Sequence, residues 1–124
     1  MRSPFLLLAA IAGFLGVAMG AFGAHALKNI LSEPMREVYK TAVSYQMWHG
    51  LVLGLVSVLP PGRLMTWVGW LLVVGIVLFS GSLYLLAIFN ISWLGIITPM
   101  GGVAFLLAWA LLAYIASQKK PADD

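Results

Sequence analysis

Long apolar runs separated by short polar interruptions organise this chain. Residues 4–27 contain no Lys, Arg, Asp or Glu, and a run of this length exceeds the roughly 20 apolar residues that a helix needs to cross a bilayer core. Residues 28–40 break the pattern with Lys28, Glu33, Arg36, Glu37 and Lys40. Ser32 is placed to cap a helix and Pro34 suits a first helical turn. Met35, Val38, Tyr39 and Ala42 then recur at helical spacing, with Glu33/Arg36 and Glu37/Lys40 on the other side. One helix is therefore predicted over 32–59, its first turns at the interface and its span proper over 42–59. Pro60-Pro61-Gly62 stops it. A third span follows over 64–89, a tight connection at Asn90-Ile91-Ser92, and a fourth span over 93–116. The pattern predicts an all-α fold: an antiparallel bundle of four transmembrane helices, with an interfacial amphipathic turn before helix 2. A single integral membrane domain would occupy residues 1–120, and 121–124 would form a disordered tail.

Composition sharpens this picture. Of 124 residues, 62% are hydrophobic and 9% charged, whereas soluble domains run at about 45–50% and about 25%. A soluble chain of this size has too little polar surface to cover so much apolar area. Met1-Arg2 and the apolar run behind it resemble a secretory leader, but the run is longer than the usual h-region, so a retained first span is expected. The absence of cysteine excludes disulfides, thiolate metal sites and cysteine nucleophiles. The net charge of +3 is scattered along the chain, which argues against a nucleic-acid partner. Arg2, Arg63, Lys119 and Lys120 fall on one side of the predicted membrane and Lys28, Arg36 and Lys40 on the other. The positive-inside rule then favours both termini in the cytoplasm.

Membrane helices associate largely through small residues that let backbones approach. Ala12, Gly16, Gly20 and Ala24 form such a stripe in span one, Gly50 and Gly54 in span two, and Gly101 and Gly102 in span four. They serve packing within the bundle or, for Gly16 and Gly20, a seam between two copies. The partners implied are membrane lipid, a second copy of the chain, or a larger membrane complex.

The polar side chains are unevenly placed. Because spans alternate direction, His25, Tyr45, Gln46, His49, Ser80, Ser82, Tyr84 and Thr98 are predicted to share the half of the bundle facing 28–40. The other half is nearly all apolar, with Ser57 and Thr66 as exceptions. Polar groups inside a bilayer must pair or meet water, which leaves two readings: interhelical hydrogen bonding, or a pocket for a small solute or ion. A metal or haem would draw on His25 and His49, with Met47 or Met100 as soft ligands, but two histidines do not define a site and no cofactor is expected. Catalysis is not expected either, since no carboxylate lies inside a span and Ser80 or Ser82 has no orienting acid.

Four segments resemble a known family: Gly20-Ala21-Phe22-Gly23-Ala24-His25, Tyr45-Gln46-Met47-Trp48-His49, Phe79-Ser80-Gly81-Ser82-Leu83-Tyr84 and Thr98-Pro99-Met100-Gly101-Gly102. In this order they resemble the domain-of-unknown-function 423 family, the UPF0382 or YgdD-like small membrane proteins, over essentially the whole chain. The resemblance implies a multi-pass protein of the bacterial inner membrane with no assigned biochemical function. The functional expectation is a ligand pocket in the polar half or, alternatively, an accessory or assembly role in a larger membrane complex.

Overall fold

The computed structural model describes residues 4–118. Within them the chain is helical, with no strand: α1 (Phe5–His25), α2 (Glu33–Val58), α3 (Arg63–Gly75), a π-helical turn (Ile76–Ser80), α4 (Gly81–Phe89), a 3-10 turn (Ser92–Ile96) and α5 (Thr98–Ser117). α3, the π turn and α4 run on as one rod. The terminal residues assigned above to the tail lie outside the described range.

Local chemistry sets the boundaries. The Ser32 hydroxyl accepts from the Met35 amide at 3.4 Å, and Pro34 sits in the first turn of α2. Asn90 ends the α4 rod in the left-handed region, φ 55°, a conformation that Asn tolerates better than β-branched residues do. The fourth predicted span opens with a 3-10 turn rather than an α-helix. Residues 92–96 wind as a 3-10 turn and α5 begins at Thr98. Pro99 has no amide to donate to the preceding turn, so an α-helix cannot run through it from residue 93.

α2 is the central element. It packs against α1, α3, the π turn and α4, while α5 packs on α3 and the π turn. Ideal methyls built on Gly50, Gly20 and Gly54 approach Ala12, Val43 and Ala9, at 3.3, 3.5 and 3.7 Å. A methyl on Gly16 or Gly23 would collide with Met47 or Tyr39. Gly16 and Gly20 thus face α2 of the same chain, and the seam they could offer a second copy is used internally. Gly101 lies against the backbone of Phe79 in the π turn, and Gly102 stands off at 3.9 Å.

One core cluster gathers Phe5, Leu53, Val56, Val68, Leu72 and Phe105, and a smaller one joins Leu27, Leu31, Tyr39 and Ala87 at the other end. The outer surface is as apolar as the core: Phe14, Val58 and Leu106 are each at least 70% exposed. Three stretches are long and apolar enough to cross a membrane: Phe5–His25, Arg63–Phe89 and Ser92–Ser117, with mean hydropathy 2.3, 2.5 and 2.0. The fourth expected span, in α2, does not reach that standard. Charges fill its first turns, and Tyr45, Gln46 and His49 dilute the remainder.

Candidate functional site

The predicted polar residues separate into three interhelical clasps. In the first, Gln46 lies buried between α1, α2 and α4. Its Nε2 donates to the Ala12 carbonyl at 2.8 Å, and its Oε1 accepts from the Tyr84 hydroxyl at 2.6 Å. The Tyr39 hydroxyl donates to the Met19 carbonyl nearby, and its ring meets Tyr84 edge-on at 5.3 Å.

The second clasp joins the two ends of the α4–α5 corner. Ser82 and Thr98 share a hydrogen bond of 2.6 Å. Ser80, 1% exposed, points the other way and donates to the Ala42 carbonyl on α2 at 2.7 Å. Two residues apart on one rod, the two side chains fall on nearly opposite faces, and the Phe79 backbone in the π turn lies against Gly101 of α5.

The third clasp centres on His49, between α2 and α5. Its Nε2 lies 3.1 Å from the Trp109 indole nitrogen, and its Nδ1 lies 2.8 Å from the Tyr45 carbonyl. An indole N–H can only donate, so Nε2 must accept and Nδ1 must carry the proton. Both nitrogens of a neutral imidazole are thereby used. The ring stacks on Phe105 at 3.7 Å and lies parallel to Tyr45 at 5.7 Å.

His25 joins none of these. It is exposed in the last turn of α1. The antiparallel register, Ala9 with Gly54, Ala12 with Gly50, Gly20 with Val43, sets it level with the first turns of α2. That is thirteen residues along α1 from Ala12, the residue level with Gly50, or roughly 20 Å. The expectation that His25 and His49 share a depth fails because α2 begins several turns before its apolar portion.

Trp109 is not among the residues the sequence singles out. The available signal was a donor-only indole about one turn from Phe105 in an otherwise apolar helix. Among the described residues no buried side-chain nitrogen or oxygen lacks a partner, and no three His, Asp or Glu side chains converge. Grooves open on the surface of the described residues. One, about 620 Å³, lies between α2 and α5 against Tyr45, Trp48, His49 and Trp109. A second, about 850 Å³, lies between Phe5 and Met65. The third, about 500 Å³, lies between the end of α1 and the start of α2. Gln46, Ser80, Ser82, Tyr84 and Thr98 line none of the three.

An apolar helical exterior around hydrogen-bonded interhelical clasps defines a small membrane protein. The model of the family described as "Protein of unknown function (DUF423)" matches residues 19–102, and the chain belongs to that family. It is 46% identical over 110 residues to a UPF0382 membrane protein of Staphylococcus saprophyticus, covering 87% of this chain and 92% of that one. It is 45% identical over 117 residues to the UPF0382 membrane protein YwdK of Bacillus subtilis, covering 90% and 94%. To the UPF0382 inner membrane protein YgdD of Escherichia coli it is 42% identical over 116 residues, covering 90% and 88%. No solved structure matches.

Proposed function

We propose that the chain is a four-span inner-membrane bundle with both termini in the cytoplasm, acting as a non-enzymatic accessory or assembly subunit of a larger membrane complex. The observation that carries this reading is the closure of the polar half. Gln46, His49, Ser80, Ser82, Tyr84 and Thr98 each bond to another helix or to the backbone, and no buried polar atom among the described residues is left for a solute. A conduction path or ligand pocket needs groups that meet water or cargo. These groups meet one another. Gly16, Gly50 and Gly101 are packed inside the bundle, so a partner would dock on the outer aliphatic and aromatic face.

α2 is the fourth span in this reading. Its eighteen residues from Thr41 to Val58 contain no charge and extend roughly 27 Å. Its low hydropathy comes from side chains that point inward.

The test is native mass and elemental analysis of the protein extracted gently from its own membrane, with His25→Ala and His49→Ala beside it. A polypeptide retained at fixed stoichiometry by the wild type and both variants supports the accessory role. A small molecule or metal retained by the wild type and lost from His49→Ala would replace it with the solute-binding reading. A reporter fused to the C-terminus reads the orientation separately.

A further inference from the structure

We propose that the groove between the end of α1 and the start of α2 is a binding site for one anionic phospholipid. Its rim carries Lys28, Arg36 and Lys40, and its apolar floor includes Gly20, Ala24 and Val43. The described acidic residues are Glu33 and Glu37, and neither lines it. Three cations around a concavity with no carboxylate form a complement to phosphate.

The hydrogen bonds show which charges are free. Arg36 Nη1 donates to the Lys28 and Leu31 carbonyls at 3.1 and 3.0 Å, which ties the loop to α2. Nε and Nη2 of its guanidinium remain for a ligand. Among the described residues no carboxylate pairs with Lys28 or Arg36. Lys40 meets Glu37 at 3.6 Å, but both side chains are over 70% exposed, so that pair holds it weakly.

The floor selects the occupant. Tyr39 is held to α1 by its bond to the Met19 carbonyl, and the absent side chain of Gly23 admits its ring. The resulting trough runs from the charged loop down the small-residue face of α1, from the headgroup layer towards the hydrocarbon. An inorganic phosphate gains nothing from such a floor. An amphiphile fills both parts, its phosphate at the rim and the start of an acyl chain along Gly20 and Ala24. The proposal rests on the reading that α1 and α2 both cross the membrane.

The test titrates the purified full-length protein in mild detergent with phosphatidylglycerol or phosphatidylcholine, counting bound lipid by native mass spectrometry. The wild type should prefer phosphatidylglycerol. Each basic residue near an anionic headgroup contributes roughly a five-fold preference, so K28Q/K40Q should lose about thirty-fold. A24L, which keeps every charge and fills the floor, should lose tight binding too. R63Q, at the other end of the bundle, should not. Unchanged preference in K28Q/K40Q, an equal loss in R63Q, or competition by glycerol phosphate as effective as by the lipid would each overturn the site. Circular dichroism and elution profiles of the same samples show that the variants are folded. The chain has no cysteine, so S32C and G62C, labelled singly from either side of the membrane, test the span reading independently of the lipid.

Discussion

The bond between Gln46 and Tyr84 offers the sharpest test of whether the polar half is a set of clasps. Gln46 is 5% exposed, and its amide bridges Ala12 on α1 to Tyr84 on α4. Gln46→Leu preserves most of the volume and leaves the Tyr84 hydroxyl without its acceptor. Tyr84→Phe leaves the Gln46 carbonyl oxygen without its donor. A buried polar group stranded in this way costs about 1–3 kcal/mol, so each single variant should be destabilised by that much. Gln46→Leu/Tyr84→Phe removes both orphans and should cost less than the sum. The coupling expected is about 1 kcal/mol, between the average of ~0.6 and the maximum of ~1.7 found for such pairs across membrane helices. Reversible unfolding in mixed micelles, followed by circular dichroism for all four proteins, supplies the cycle. Additivity within about 0.5 kcal/mol would refute the clasp. Single variants that are neutral or more stable than wild type would go further, because they would mark Gln46 and Tyr84 as groups kept open for a ligand at a cost in stability.

Further outcomes follow from the geometry. Gly101→Ala places a methyl against the Phe79 backbone and should lower stability by about 1–3 kcal/mol. Gly102→Ala, with open space beside it, should be neutral or gain up to about 1 kcal/mol from helix propensity in the same unfolding assay. At Asn90, in the left-handed region, Asn90→Gly should be tolerated and Asn90→Val should cost about 1–2 kcal/mol. His49→Ala should cost about 1–3 kcal/mol, since it strands the Trp109 indole and empties the stack on Phe105, and should shift tryptophan emission. His25→Ala, at an exposed and unclasped position, should stay within about 0.5 kcal/mol of wild type.

What could be read from the sequence divides along physical lines. Hydrophobic runs, Ser32 with Pro34, and the Pro60-Pro61-Gly62 stop are local signals, and the helices they predict over 4–27, 32–59 and 64–89 are present with small shifts, at 5–25, 33–58 and 63–89. The inward face of α2 was legible because polar groups cannot face lipid at depth. Register was not. It depends on how far α2 projects before its apolar portion begins, and that offset is what separates His25 from His49. The π turn at 76–80 was equally invisible, for no proline or charge marks it. It lies where two long-range contacts meet, Ser80 with the Ala42 carbonyl and Phe79 with Gly101. Trp109 escaped for a related reason: its partner lies 60 residues away.

The packing order of the helices has a consequence for biosynthesis. α1 leans chiefly on α2, and α5 on α3 and the π turn, so each hairpin pairs with a neighbour just made by the ribosome. The clasps between hairpins do not. Gln46 and His49 emerge 38 and 60 residues ahead of Tyr84 and Trp109, an interval of roughly two to twelve seconds at translation rates of about 5–20 residues per second. During that interval the nascent first hairpin holds the Gln46 carbonyl oxygen and the His49 Nε2 without their later partners, in or near the bilayer. A synonymous slowdown between codons 60 and 84 would prolong that interval without altering one residue of the finished protein.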